Sequence, residues 1–235
     1  VVARVGTDSG AVTGSVEAAI DWAVAQGADV ISISIGVVVP FPSGASPAIL
    51  RARDAGVLVV VSAGNGLLNT GAAPYPSWMS PYGNNKRALV VGGADAAGQA
   101  ILSTTGNSDP DVVSWSDGVC VARANSDGYR RMSGTSFSAP LVAGMAGGLA
   151  QLARDQGQPS DADQLYELLT RGARNNPLIP YHREGLGSLM PGQFTSMKPH
   201  AQAGTLPDYG AQGPWAQADR LYHDEVVRGA LPLRR

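Results

Sequence analysis

Cysteine is nearly absent from this sequence. Cys120 is the only one in 235 residues, which excludes a disulfide within the chain. It sits in the apolar run Gly118-Val119-Cys120-Val121-Ala122, so the expectation is a small buried hydrophobe with an unreactive thiol. Histidine is almost as scarce, with His182, His200 and His223 all close to the C-terminal end. An excess of one charge is missing too. The 17 Lys and Arg against 19 Asp and Glu leave a formal charge of −2, which argues against a nucleic-acid or anionic-membrane partner. No run approaches the ~18 consecutive apolar residues of a membrane span, and no charged-then-apolar leader opens the chain. No internal repeat is present, which excludes a solenoid or propeller.

What is present describes one sizeable core. Apolar residues make up 44% of the chain, and the 30 glycines and 16 prolines fall between periodic apolar segments, where they punctuate turns. Residues 1–5 are β-prone and read as a strand, followed by a loop from Gly6 to Gly14. Val16, Ala19, Ile20, Ala23 and Val24 then recur at helical spacing up to a stop at Gly27. Residues 30–35 form a β-branched strand, 46–55 a helix, and 57–61 a strand apolar on both faces, as in a covered parallel sheet. This alternation implies a three-layer α/β fold, an open and mostly parallel sheet flanked by helices. Further strands are expected at 87–91, ended by Gly92-Gly93, at 112–116 as a short edge, and at 119–122. A long helix runs from about Ser136 to Arg154, and another from Ser160 to Gly172 with Asp161 and Asp163 in its first turn. Residues 66–85 are a proline-broken loop.

The chemistry gathers at Gly134-Thr135-Ser136-Phe137-Ser138-Ala139-Pro140, a tight turn feeding the long helix. A serine in a first helical turn lies among unpaired N–H groups at the positive end of the macrodipole. Negative charge developing beside Ser136 is therefore stabilised there. Pro140 is expected in the first turn, where its missing N–H costs nothing. Taken alone, the stretch reads better as a serine cap on a buried helix than as a nucleophile.

Two more stretches decide the matter: Ser62-Ala63-Gly64-Asn65, and Ile31-Ser32-Ile33-Ser34-Ile35-Gly36. With Gly-Thr-Ser-x-Ser-Ala-Pro they resemble, in order, three signatures of the subtilisin-like serine peptidases, the subtilases. The resemblance covers about residues 1–190 and includes the glycine turn Glu184-Gly185-Leu186-Gly187; residues 191–235 read as a C-terminal extension, a linker or a disordered tail. It implies a serine endopeptidase acting on proteins or peptides, with Ser136 as nucleophile and the Asn65 side chain in the oxyanion hole. It also implies substrate-binding walls at Ser34, Ile35 and Gly36 and at Ala63 and Gly64, with the loop 10–14 bordering a more distant subsite. Family members are commonly secreted and commonly hold structural calcium. No ligand cluster for calcium stands out in this chain, so no cofactor or metal site is assigned.

The base and its orienting acid are not visible. Subtilases present Asp, then His, then Ser, whereas all three histidines here follow Ser136 and none has a His-Gly-Thr-His-like context. Asp8, in Thr7-Asp8-Ser9-Gly10, aligns with the loop before the first helix rather than with the triad acid. His182 reads as a loop histidine rather than a relocated base. The expectation is that acid and base come from an N-terminal segment outside these residues, as an upstream part or a separate fragment. The chain on its own is then inactive. The alternative is a non-catalytic descendant that binds peptides in the same groove or serves as a scaffold. An α/β-hydrolase is set aside, since no Gly-x-Ser-x-Gly elbow occurs.

Overall fold

The structure, a computed structural model, describes residues 1–7, 10–11, 13–35, 45–65, 88–101, 110–177 and 185–191. The first elements are a short pair, β1 (Gly6–Thr7) with β2 (Gly10–Ala11), then α1 (Thr13–Ala25), β3 (Val30–Ile33), α2 (Ala45–Asp54) and β4 (Leu58–Ser62). Next come β5 (Leu89–Ala94), β6 (Val112–Trp115), β7 (Val119–Ala122) and β8 (Tyr129–Met132). The long helix α3 (Thr135–Asp155), α4 (Ala162–Gly172) and β9 (Ser188–Leu189) follow. Five strands form one parallel sheet in the order β3-β4-β5-β6-β9.

Strand β4 shows why this sheet is covered on both faces. All five of its residues are buried, and successive side chains of a strand point to opposite faces. Leu58 and Val60 join α3 and α4 through Val142, Leu149, Leu165 and Tyr166. Val59 and Val61 join α1 and α2 through Val16, Ile20, Ala48, Ile49 and Ala52. Three layers result, as the alternation of apolar segments implies. Helix α4 begins with a capping box: Asp161 accepts from the Gln164 amide at 3.0 Å, and the Gln164 side chain accepts from the Asp161 amide at 3.1 Å. Among the described residues no helix is long and apolar enough to cross a membrane.

Four expectations need correction. Residues 1–5 form no strand, and Val1 and Val2 are 88% and 94% exposed. Strand β5 does not stop at Gly92-Gly93 but runs through both to Ala94, since buried glycines keep the ladder. Strand β6 is interior rather than an edge, because β9 pairs with its far side. The glycine turn makes that pairing possible. Gly185 has φ +61°, and a Cβ there would run into the carbonyl oxygens of Pro110 and Asp111. Leu186 N–H then donates to Asp111 O at 2.7 Å and Val113 N–H to Gly187 O at 3.0 Å. Strand β7 falls at the expected 119–122 and pairs antiparallel with β8, a strand that the sequence does not announce. Finally, Cys120 is exposed. In β7 the odd residues Val119 and Val121 are half-buried, while Cys120 and Ala122 face solvent, so the apolar run is covered on one side only.

Candidate active site

Three carboxyl-end segments converge on the start of α3. Strand β4 ends at Ser62, and the Ala63 amide donates to Val91 O at 2.9 Å, which holds the chain against β5 as it leaves the sheet. Asn65 is thereby delivered, exposed, at the carboxyl edge, where open parallel sheets bind ligands. From the other side, Gly134 N–H donates to Ser116 O at 2.9 Å, tethering the turn before α3 to the end of β6. Gly134 has φ +151°, and a Cβ on it would sit 3.2 Å from Asn65 Nδ2. A side chain at 134 would thus press on the asparagine amide.

Thr135 locks these two segments together. Its N–H donates to Asn65 Oδ1 at 2.9 Å, and its hydroxyl donates to the same oxygen at 3.2 Å. The hydroxyl oxygen in turn accepts from Gly64 N–H at 3.2 Å. Thr135 is fully buried, so each of these bonds offsets a desolvation cost. The network also assigns the asparagine amide. With Oδ1 facing two donors, Nδ2 points away from Thr135; the reverse orientation would set donor against donor. Among the described residues neither Asn65 Nδ2 nor Ser136 N–H has a hydrogen-bond acceptor. Ser136 is the second residue of a 21-residue helix with no acid in its first turn, so the local field favours an anion.

Pro140 lies inside α3 rather than in its first turn. It has no N–H to give the Ser136 carbonyl four residues back. Ser34 takes that place, its Oγ donating to Ser136 O at 3.0 Å. The end of β3 is thus joined directly to the serine's own backbone.

The family model described as "Subtilase family" matches residues 1–187. The chain belongs to the subtilase family. It is 35% identical to Thermitase of Thermoactinomyces vulgaris over 135 residues, which are 57% of this chain and 45% of that protein. The chain therefore spans less than half the length of this relative. Among solved structures, the prenylagaramide maturation protease PagA superposes with a TM-score of 0.63 at 23% identity, over 82% of this chain and 70% of that one. The PatG macrocyclase, solved in complex with a peptide, gives 0.60 at 23%, over 79% and 56%. At these identities the likeness is one of fold.

In this subtilase chain the structure brings Ser136, Asn65, Gly64 and Ser34 together through the bonds above. Ala63 is buried, and Ile35, two residues past the end of β3, is half-buried. Gly36, Asp8, the three histidines and all residues beyond 191 lie outside the described residues. Among the described residues no group of three or more His, Cys, Asp or Glu side chains is placed to hold a metal ion. One contributor escapes a reading by motif: Thr135 is present in the Gly-Thr-Ser signature but carries no chemistry of its own. Ser34 lies in the expected substrate-wall stretch, but its bond to Ser136 O is not announced by that motif.

Proposed function

We propose that this chain is the nucleophile-bearing part of a subtilase serine endopeptidase, completed by an acid and a base from a segment outside its 235 residues. The observation that supports it is the pair of unengaged donors, Asn65 Nδ2 and Ser136 N–H, at the start of α3. An extended peptide lies along residues 34–36 on one side and 63–64 on the other. Ser136 Oγ attacks the scissile carbonyl carbon, the carbonyl oxygen takes the charge, and the two donors hold it. The Oγ proton goes to a histidine of the completing segment, which returns it to the leaving amine as the acyl-enzyme forms. Water then repeats the sequence and releases the acid. Without that histidine the hydroxyl remains a weak nucleophile, since helix and oxyanion donors stabilise charge without removing the proton.

Labelling by a fluorophosphonate probe tests this. The chain alone should label poorly, and adding the completing segment in cis or in trans should give labelling that Ser136→Ala abolishes. In the completed enzyme, Asn65→Ala should lower kcat with little change in KM. The size, about 10²–10³ for the comparable donor in subtilisin, is borrowed from that enzyme. If the chain alone cleaves peptides and His182→Ala stops it, a relocated base replaces the missing segment. If the completed chain binds peptides and never labels, the non-catalytic reading stands instead.

A further inference from the structure

Arginines elsewhere in the described residues are neutralised within the fold. Arg51 pairs with Glu17 and Asp21, Arg53 with Asp163, Arg154 with Asp29 and Arg171 with Glu167. The β7–β8 hairpin differs. Arg123 and Arg130 are both exposed, and among the described residues neither guanidinium has a hydrogen bond or an ion pair. Asp127, in the turn between them, pairs with neither. The register puts the two cations on one face. Val121 lies opposite Arg130, and the ladder continues as Arg123 N–H donates to Gly128 O at 2.9 Å. Residues two apart on a strand point the same way, so Arg123 and Arg130 are diagonal neighbours roughly 7 Å apart. The Arg123 side chain lies over bare Gly128, its Cδ 3.5 Å from where a Cβ would stand. The same face carries Val119, Val121 and Met132, all half-buried. It is covered at its root and open where the two arginines stand. The root itself is fixed. Ser133 Oγ donates to Asp117 Oδ1 at 2.6 Å and accepts from Gly118 N–H at 3.0 Å, and Arg131 Nη1 donates to Gly118 O at 2.9 Å.

We infer that this face of the hairpin binds acidic side chains, those of a substrate polypeptide close to the bond that is cleaved. Two features name that occupant. Like charges as neighbours on one face of a sheet are destabilising, and no carboxylate of the described residues offsets Arg123 and Arg130. A carboxylate from outside does so, through charge-assisted bonds to a planar fork that matches its geometry. The second feature is position. The proposed substrate walls leave the ends of β3 and β4, and the hairpin is a third element that runs into the Ser136 turn. Arg130 precedes Ser136 by six positions, a reach of at most about 20 Å at ~3.3 Å per residue. An extended substrate covers that distance in about six residues. The inference rests on the peptidase reading for the peptide's being a substrate, and adds a charge preference that the reading does not contain.

Binding is tested without catalysis. The probe is the acetylated, amidated peptide Gly-Glu-Glu-Glu-Glu-Gly, with its glutamine counterpart as control. Each is titrated into the 235-residue chain at about 20 mM salt, where screening is weak. The side-chain Nε–H resonances of Arg123 and Arg130 should shift saturably with the glutamate peptide and stay put with the glutamine one. Replacing both, Arg123→Gln with Arg130→Gln, should weaken binding at least about threefold, as the loss of two exposed ion pairs implies. Neither guanidinium has a partner among the described residues to lose. Arg174→Gln, which removes an equally unpaired cation beside β9, should leave binding unchanged. An equal loss in Arg174→Gln overturns the inference, because the attraction would then be to overall charge. Equal affinity for the glutamine peptide overturns it, as does the absence of a saturable shift at millimolar peptide. A single-stranded DNA hexanucleotide that shifts the two arginines at lower concentration than the peptide would assign the face to nucleic acid and overturn it too. In the completed protein, an acidic stretch within about six residues of the cleaved bond should lower KM, and the double replacement should remove that advantage. A KM indifferent to the acidic stretch would overturn the link to substrate. Failed Ser136 labelling with peptide binding intact would sink the catalytic proposal and leave the acid-binding face standing.

Discussion

The bond from Ser34 to the Ser136 carbonyl exists because Pro140 cannot make it, and a double-mutant cycle measures that dependence. Proline removes the i→i−4 bond and its ring crowds the carbonyl it faces. That carbonyl belongs to Ser136, and Ser34 Oγ occupies it at 3.0 Å. A neutral hydrogen bond nets about 0.5–1.5 kcal/mol. Ser34 is exposed, so water partly replaces the lost hydroxyl in Ser34→Ala, which places the cost at about 0.5–1 kcal/mol. Pro140→Ala returns an N–H aimed at the same oxygen. Its own effect mixes that bond with a looser unfolded chain, so the informative quantity is the coupling. With Ala at 140, Ser34→Ala removes a second donor from a carbonyl that has already been satisfied. The cost should fall by about half or more, a coupling near 0.5 kcal/mol. Urea unfolding of the four proteins, with equal m-values confirming the same transition, reads it directly. A cost for Ser34→Ala that is the same in both backgrounds refutes the compensation and leaves Ser34 an ordinary strand serine.

Gly134→Ala puts a Cβ 3.2 Å from Asn65 Nδ2 at a φ of +151°, and should lower stability by about 1–3 kcal/mol in urea unfolding. In the completed protein it should also depress Ser136 labelling. Cys120, exposed on β7, should react with Ellman's reagent in the native protein; resistance until unfolding would contradict the hairpin geometry. Arg51 bridges α1 and α2, and its hydrogen bonds to Asp21 hold that carboxyl below its usual value of 3.8. A depressed folded-state pKa adds stability above the unfolded value and loses it as pH falls. Wild type should therefore exceed Arg51→Ala at pH 7, and the gap, read by urea unfolding, should close below the unfolded-state carboxylate pKa of about 3.9.

The layers were legible because each strand-helix pair repeats a local signal. In β4 a continuous apolar run announces burial on two faces, and in α1 and α3 the spacing of small apolar residues announces one. Strand β8 is not legible for the converse reason. Tyr129-Arg130-Arg131 is exposed throughout, and only pairing with β7 makes it a strand. Cys120 departs from the burial its apolar run suggests because a two-stranded hairpin covers only one face. Strand β6 turned from edge to interior through a glycine turn more than seventy residues away, a contact that no window around it contains.

The candidate site divides along the same line. Ser136 and Asn65 stand out as candidates because the roles proposed for them need particular side chains, and a residue type is visible in one dimension. What holds them is not. Thr135 reaches Asn65 across 70 positions and Ser34 reaches Ser136 across 102, and in both cases the partner is a backbone atom or a polar side chain that any sequence offers in abundance. One clue was nevertheless present. A proline in a long helix always frees the carbonyl four residues before it, so Pro140 already stated that Ser136 O needed a donor from elsewhere. Among the described residues the strand leading to that donor is the outermost of the sheet, so its position is coupled through Ser34 to the backbone of the serine itself.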